Sequence, residues 1–147
     1  MRSRVKQKAF DLSDSKKRLT FAFLTTQGYF VIGGGCAKII LLSQDMKNLM
    51  PAVRCLSYNY SGILVEHESR EYLYVSQFDT IVKYEVLKKP EWYKNKRGNL
   101  KRLYLKELTT IRGLQFSCIW RMLQKMKDYI FCFDSRKDLF ILCIKTD

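Results

Sequence analysis

The clearest pattern in the chain lies at residues 71–87, where two runs of β-branched and aromatic side chains flank a short polar segment. The runs are residues 72–75 and 81–86, and residues 77–80 between them include Asp79. β-Branched and aromatic side chains fit a pleated, half-buried surface, whereas Asp favours turns. The sequence therefore predicts a β-hairpin at the centre of the chain.

The same pattern occurs three times along the chain. Aromatic and aliphatic triplets at residues 29–31, 72–74 and 129–131 are each followed by a turn and then by an apolar run at residues 39–42, 81–84 or 139–142. The apolar runs begin 42 residues apart, from Ile39 to Ile81, and then 58 apart, from Ile81 to Leu139. A period of about 40 to 50 residues with four strands per repeat is typical of propeller blades.

Further strands are predicted at residues 19–25, 53–58, 63–66, 103–108 and 114–120. A polar loop is predicted at residues 44–51 and a turn at 60–62. Residues 121–127 fit either an extension of a strand or a helical turn. The predicted fold is all-β: a partial β-propeller of about three four-stranded repeats, at about 19–62, 63–108 and 109–147. The alternatives are a compact β-sandwich or barrel-like domain and a mixed α+β fold.

Residues 79–86 resemble the blade-ending stretch of the WD-repeat β-propellers. Tyr84 lies where that family usually has Trp, Glu85 lies where it has Asp, and Asp79 precedes the strand. The corresponding pairs in the other repeats are residues 42–43 and 142–143, and no Gly-His pair precedes any repeat. The resemblance implies a scaffold that docks proteins through its propeller faces. Propellers usually have about 4 to 8 blades, so we expect this chain to be a fragment, to pair with another chain, or to be a half-propeller completed in an assembly.

Length, hydrophobic content and cysteine content indicate the size of the domain and the cellular compartment. The 147 residues, 47% of them hydrophobic, are enough for one domain with a buried core. No apolar run approaches the ~18 residues that span a bilayer, and the basic N-terminus lacks the apolar core of a secretory signal. The five Cys are odd in number and lack a CxxC pair. These features predict reduced thiols and an intracellular protein, cytoplasmic or nuclear.

The net charge of +13 is concentrated in two segments. Residues 1–18 carry seven Lys or Arg and two Asp, and we expect them to form a flexible basic lead-in to a single domain at 19–147. Residues 88–106 carry eight Lys or Arg and one Glu. Pro90 is expected to interrupt the preceding strand and release this insert to the surface, with a hairpin tip at residues 97–99.

The basic insert also carries aromatic side chains. Lys and Arg attract phosphates, and aromatic rings stack on unpaired bases. The insert therefore predicts a site for a polyanion, most simply RNA; an acidic protein or an anionic membrane surface would fit the same charges. The residues expected to bind are Lys88, Lys89, Trp92, Tyr93, Lys94, Lys96, Arg97, Lys101 and Arg102.

Residues that carry catalysis or bind metals are sparse. The chain has one histidine, His67, with Glu66 and Glu68 beside it, and a metal site needs several convergent ligands. Residues 33–35 are three glycines, but they lack the spacing of a phosphate-binding loop and predict a bulged or tight strand connection. We expect no catalytic residue, no metal and no cofactor.

These observations predict a non-enzymatic scaffold, a subunit of a larger complex that docks proteins and binds a polyanion. The alternative is a purely protein-protein adaptor, cytoplasmic or cytoskeletal, whose basic insert contacts acidic protein surfaces. The last repeat ends where a blade would still need its outer strand. We therefore expect the sheet to be completed outside this sequence.

Overall fold

A computed structural model describes residues 19–34, 37–55, 59–77, 80–112, 120–134 and 139–144. These residues form three antiparallel sheets, and each sheet follows the order of the chain. The first sheet contains β1 (Leu19–Leu24), β2 (Tyr29–Gly34), β3 (Lys38–Ser43) and β4 (Leu49–Arg54). The second contains β5 (Asn59–His67), β6 (Arg70–Gln77), β7 (Thr80–Lys94) and β8 (Leu100–Arg112). The third contains β9 (Trp120–Met126), β10 (Tyr129–Asp134) and β11 (Leu139–Cys143).

The all-β prediction is confirmed, because the described residues contain strands and turns and no helix. The repeated segments also occupy equivalent strands. The triplets at 29–31, 72–74 and 129–131 lie in β2, β6 and β10, the second strand of each sheet. The apolar runs at 39–42, 81–84 and 139–142 lie in β3, β7 and β11, the third strand of each sheet.

Several local predictions were wrong. Residues 60–62, predicted as a turn, lie inside β5, and β4 begins at Leu49 within the predicted polar loop. For residues 121–127 a strand extension and a helical turn were both left open, and residues 121–126 belong to strand β9. The predicted strand at 114–120 lies almost entirely outside the described residues. Gly62 lies within β5, and a Cβ there would lie 2.6 Å from the Phe21 ring, so a glycine at this position makes room for that ring.

The second sheet is buried on both faces. One face packs on the first sheet in a cluster that includes Val31, Leu41, Leu73 and Val82. The opposite face packs on the third sheet in a second cluster, which includes Ile130. The first strands of the sheets also lie together, because β5 is next to both β1 and β9. The result is an ordered stack of three open sheets.

Polar contacts also join the first sheet to the second. The buried Glu71 carboxylate accepts hydrogen bonds from the Thr26 backbone N–H at 3.1 and 3.2 Å and from the Thr26 hydroxyl at 3.2 Å. Asn59 Nδ2 donates to the Lys38 carbonyl at 3.0 Å. Buried polar groups without such partners would destabilise the fold, so these contacts also fix how the two sheets are aligned.

Candidate polyanion interface

The basic insert forms the far end of the hairpin between β7 and β8. Its tip is closed by Asn95, whose Oδ1 accepts hydrogen bonds from the backbone N–H groups of Arg97 at 3.0 Å and Asn99 at 2.9 Å. The Asn95 N–H donates to the Asn99 carbonyl at 2.9 Å, and Gly98 takes the positive φ of 79° that the turn requires. The predicted tip at 97–99 lies within this turn.

The expectation that Pro90 interrupts the strand was wrong. Strand β7 continues through Pro90 to Lys94, and its pairing with β8 shifts from Val86–Leu105 to Glu91–Leu103. The residues between these pairs form a bulge. Proline has no backbone N–H to donate, and in a bulge its position does not require a hydrogen bond to the neighbouring strand. The basic segment is therefore a paired hairpin rather than a surface loop, which holds its side chains in a defined register.

Aromatic and basic side chains pair across this hairpin. Trp92 lies opposite Arg102, and the guanidinium carbon is 4.8 Å from the centroid of the Trp92 ring. Tyr93 lies opposite Lys101. Directly opposite residues share a face, so the two pairs project from opposite faces of the hairpin. Trp92 is 60% exposed and Tyr93 43% exposed, an unusual position for such large rings.

A groove of about 640 Å³ lies between this hairpin and β4. It exists because β4, the edge strand of the first sheet, runs beside β8. Among the described residues, no Asp or Glu lines it, and its aromatic residues are Tyr93 and Tyr104. Its basic residues are Arg54, Lys96, Arg97, Lys101 and Arg102. A concave surface lined by charges of one sign concentrates the local potential.

The structure brings together only part of the predicted set. Tyr93, Lys96, Arg97, Lys101 and Arg102 line the groove. Trp92 does not line it, because Trp92 projects from the face of the hairpin opposite to Tyr93 and Lys101.

The remaining lysines of the predicted set lie apart from the groove. Lys94 is exposed opposite Leu100. Lys88 and Lys89 lie at the bulge, where they line a separate depression of about 420 Å³ with Arg70 and Glu85. The nine residues of the predicted set therefore do not line one continuous groove.

Sequence reasoning missed one residue of the groove and one ion pair that holds a lysine of the basic insert outside it. Arg54 reaches the groove from β4, about 40 residues before the hairpin, and no local charge cluster marks it. Lys106, counted with the basic insert, lies 3.7 Å from Glu91 Oε1 in an ion pair outside the groove. No local sequence signal could have indicated either contact, because both depend on strand pairing and sheet stacking.

The WD-like positions are structural in this chain. Tyr84 is 2% exposed, and its hydroxyl lies 3.4 Å from Gln77 Nε2 and 3.7 Å from Cys55 Sγ. Burial, followed by the influence of Cys55, raises the pKa of Tyr84 well above its ordinary value. Glu85 Oε1 lies 3.7 Å from Arg70 Nη1. Asp79 lies outside the described residues.

In the part of the chain that is described, no three or more His, Cys, Asp or Glu side chains are grouped so that they could hold a metal ion. His67 Nε2 lies 3.7 Å from Glu68 Oε1. Burial raises the pKa of the Cys132 thiol to about 12, so it remains protonated and unreactive at neutral pH. Gly33 and Gly34 lie within β2, where Gly33 makes room for the Phe21 ring.

Comparison with protein-family models, with curated proteins and with solved structures gives no match. In the described residues, no helix has the length and apolarity needed to cross a membrane.

Proposed function

We propose that this protein is a non-enzymatic interaction module that binds a polyanion, most simply single-stranded RNA, in the groove between β4 and the β7–β8 hairpin. The observation that carries the proposal is the set of five cations lining this groove without a described acidic residue. Phosphates are attracted to such a surface, and binding gains free energy as their counterions are released.

The exposed rings favour RNA over other polyanions. Tyr93 offers accessible aromatic surface beside the groove cations, and Trp92 offers a second exposed ring on the other face of the hairpin. Bases of any sequence stack on such rings at about 1–3 kcal/mol each. An unpaired strand presents both bases and phosphates, whereas duplexes hide their base faces. We therefore expect binding that tolerates changes in sequence and prefers single strands.

We further propose that the chain is a partial β-propeller. It would work as a scaffold within a larger intracellular assembly, cytoplasmic or nuclear. It is supported by three successive antiparallel sheets stacked in chain order, with their first strands adjacent. The WD-like stretch, with Tyr84 in the contact between the first two sheets, agrees with this reading. Such a scaffold would dock proteins through the faces and edges of its sheets.

The test is a salt titration of binding to a fluorescently labelled, mixed-sequence single-stranded RNA, followed by anisotropy. If five phosphates are neutralised, the logarithm of affinity falls with the logarithm of salt with a slope of about −3.5, or roughly 100-fold between 50 and 200 mM. The double variant Lys101→Gln/Arg102→Gln is expected to reduce the slope to about −2. Its matched control, Lys88→Gln/Lys89→Gln, removes the same charge outside the groove and is expected to leave the slope unchanged.

Equal effects of the two double variants would mean that only net charge matters, and the groove would not be the site. Binding to a poly-glutamate peptide without binding to RNA would mean that the groove binds acidic protein surfaces rather than RNA, as the adaptor alternative requires. A chain that binds neither would overturn the proposal.

A further inference from the structure

The repeat predicts which neighbour each face of a sheet contacts. In the first sheet, Val31 and Ile39 face the second sheet and are fully buried. Their equivalents in the second sheet, Tyr74 and Ile81, face the third sheet and are 0% and 2% exposed. In the first and second sheets, this face is therefore covered by the sheet that follows in the chain.

The third sheet exposes the equivalent face. Its corresponding strands place Tyr129, Leu139 and Ile141 there, and these side chains are 46%, 49% and 54% exposed. Cross-strand pairing adds Met126, opposite Tyr129 and 58% exposed. Phe131, the equivalent of Val31 and Tyr74, is half-buried on this face. Ile39 and Ile81, the equivalents of Leu139 in the other two sheets, are 0% and 2% exposed, so the apolar area exposed on the third sheet marks a contact surface.

The opposite face of the first sheet has no other sheet of the described residues packed on it. In the second and third sheets, Leu73 and Ile130 point toward the preceding sheet and are fully buried. Their equivalent in the first sheet is Phe30, which is only half-buried and belongs to neither apolar cluster. Cross-strand pairing puts Leu24, Phe30, Ile32, Ile40, Leu42 and Leu49 on this outer face. Leu24 and Leu49 at its edges are each 47% exposed, Phe30, Ile32 and Ile40 are half-buried, and Leu42 is 7% exposed.

We propose that a second copy of this chain covers both faces, with the third sheet of each copy packed on the first sheet of its partner. The two ends are suited to each other because this contact repeats the stacking already present between successive sheets of one chain. A twofold pair would close a ring of six sheets, within the range of about 4 to 8 for propellers.

The size of the contact agrees with a stable dimer. Faces of three or four strands, each about six residues long, measure about 15–19 Å by 20 Å. Two such contacts bury on the order of 1,300 Å², within the range of about 1,200–2,000 Å² for specific complexes. Dimer formation does not depend on RNA binding, because none of these residues lines the hairpin groove.

The first experiment is sedimentation velocity of the full chain across a range of concentrations. We expect a particle of twice the 17.5 kDa chain mass. Ile141→Glu places a charge in the apolar contact and is expected to raise the dimer dissociation constant at least about 100-fold. The matched control is Leu100→Glu, which is 62% exposed on the hairpin and outside the contact, and which is expected to remain dimeric. Near-native circular dichroism for both variants separates dissociation from unfolding.

The second experiment tests which face meets which. Ile141→Glu damages the third sheet, and Leu24→Glu, 47% exposed in the wild type, damages the first. Each contact in the dimer joins the third sheet of one copy to the first sheet of the other. In a dimer of one variant, both contacts therefore contain a damaged face and are weakened. A mixture restores one contact between two undamaged faces, so differently labelled variants are expected to form a mixed dimer.

Three outcomes would overturn the proposal. A wild-type chain that is monomeric at all concentrations would show that the faces are covered some other way. A dimer that survives Ile141→Glu would place the contact elsewhere, and failure of the mixture to pair would exclude contact between first and third sheets. Lys101→Gln/Arg102→Gln is expected to remain dimeric, so loss of RNA binding and loss of dimerisation are distinguishable.

Discussion

Phe21 offers a sharp test of how the first two sheets pack. Its ring is 7% exposed and lies over two glycines, Gly33 in β2 and Gly62 in β5. A Cβ added at Gly33 would lie 2.2 Å from Cε1 and Cζ of the ring, whereas ordinary contacts begin at 3.4 Å. The φ of Gly33 lies outside the left-handed region, so alanine suits the backbone and only the ring opposes it.

We expect Gly33→Ala to destabilise the protein by about 3 kcal/mol. Overpacking a filled core costs about 1–3 kcal/mol, and the ring must move by about a full carbon radius within a buried contact between sheets. The measurement is urea unfolding followed by circular dichroism, at one fixed protein concentration because association shifts apparent stability.

A double-mutant cycle separates the destabilisation caused by the clash with the Phe21 ring from destabilisation by any other cause. Phe21→Leu removes the atoms that clash, so in that background Gly33→Ala is expected to cost less than about 1 kcal/mol, a coupling of about 2 kcal/mol. Gly98→Ala is the control, because no atom lies within 4 Å and only its positive φ of 79° opposes the change. It is expected to show no coupling to Phe21. A Gly33→Ala cost below about 0.5 kcal/mol, or one that Phe21→Leu leaves unchanged, would refute the packing argument.

Three other predictions concern buried and turn residues. Burial, partly opposed by hydrogen bonds from Thr26, raises the pKa of Glu71 above 4.5. The folded state therefore binds this proton more tightly, and the free energy of unfolding decreases as pH rises through the raised pKa. Glu71→Gln should remove that decrease in urea titrations from pH 4 to 8; an unchanged pH dependence would contradict the assignment. Asn95→Ala removes two hydrogen bonds at the hairpin tip, so the amides of residues 97 and 99 should exchange faster while the salt slope of RNA binding stays constant. Tyr84→Phe should cost about 1–2 kcal/mol by leaving Gln77 with one partner fewer, and no loss would show that the hydroxyl contact is unimportant.

Much of the fold was already present in the sequence. The triplets and apolar runs identified the second and third strands of all three sheets, because strand formation follows from side chains with a local period of two. The tip of the basic hairpin was also predictable, since Gly98 marks a turn by its own conformational freedom. The chemical composition of the site, cations beside aromatic rings, likewise required only the sequence of residues 88–106.

The arrangement of these parts was decided by tertiary structure. Pro90 stays within β7 because a bulge lets the strand continue, and a bulge depends on the partner strand rather than on local sequence. Gly62 lies in a strand rather than in a turn, and the Phe21 ring, about 40 residues earlier in the chain, occupies the space that a side chain at position 62 would fill.

The same holds for the candidate polyanion site. The groove required Arg54 on the edge of one sheet to lie beside a hairpin of another. A strand's own residues determine that it has an apolar face, but the sheets around it decide whether that face is buried. Leu73 and Phe30 occupy equivalent positions and differ only in whether another sheet of the chain covers them.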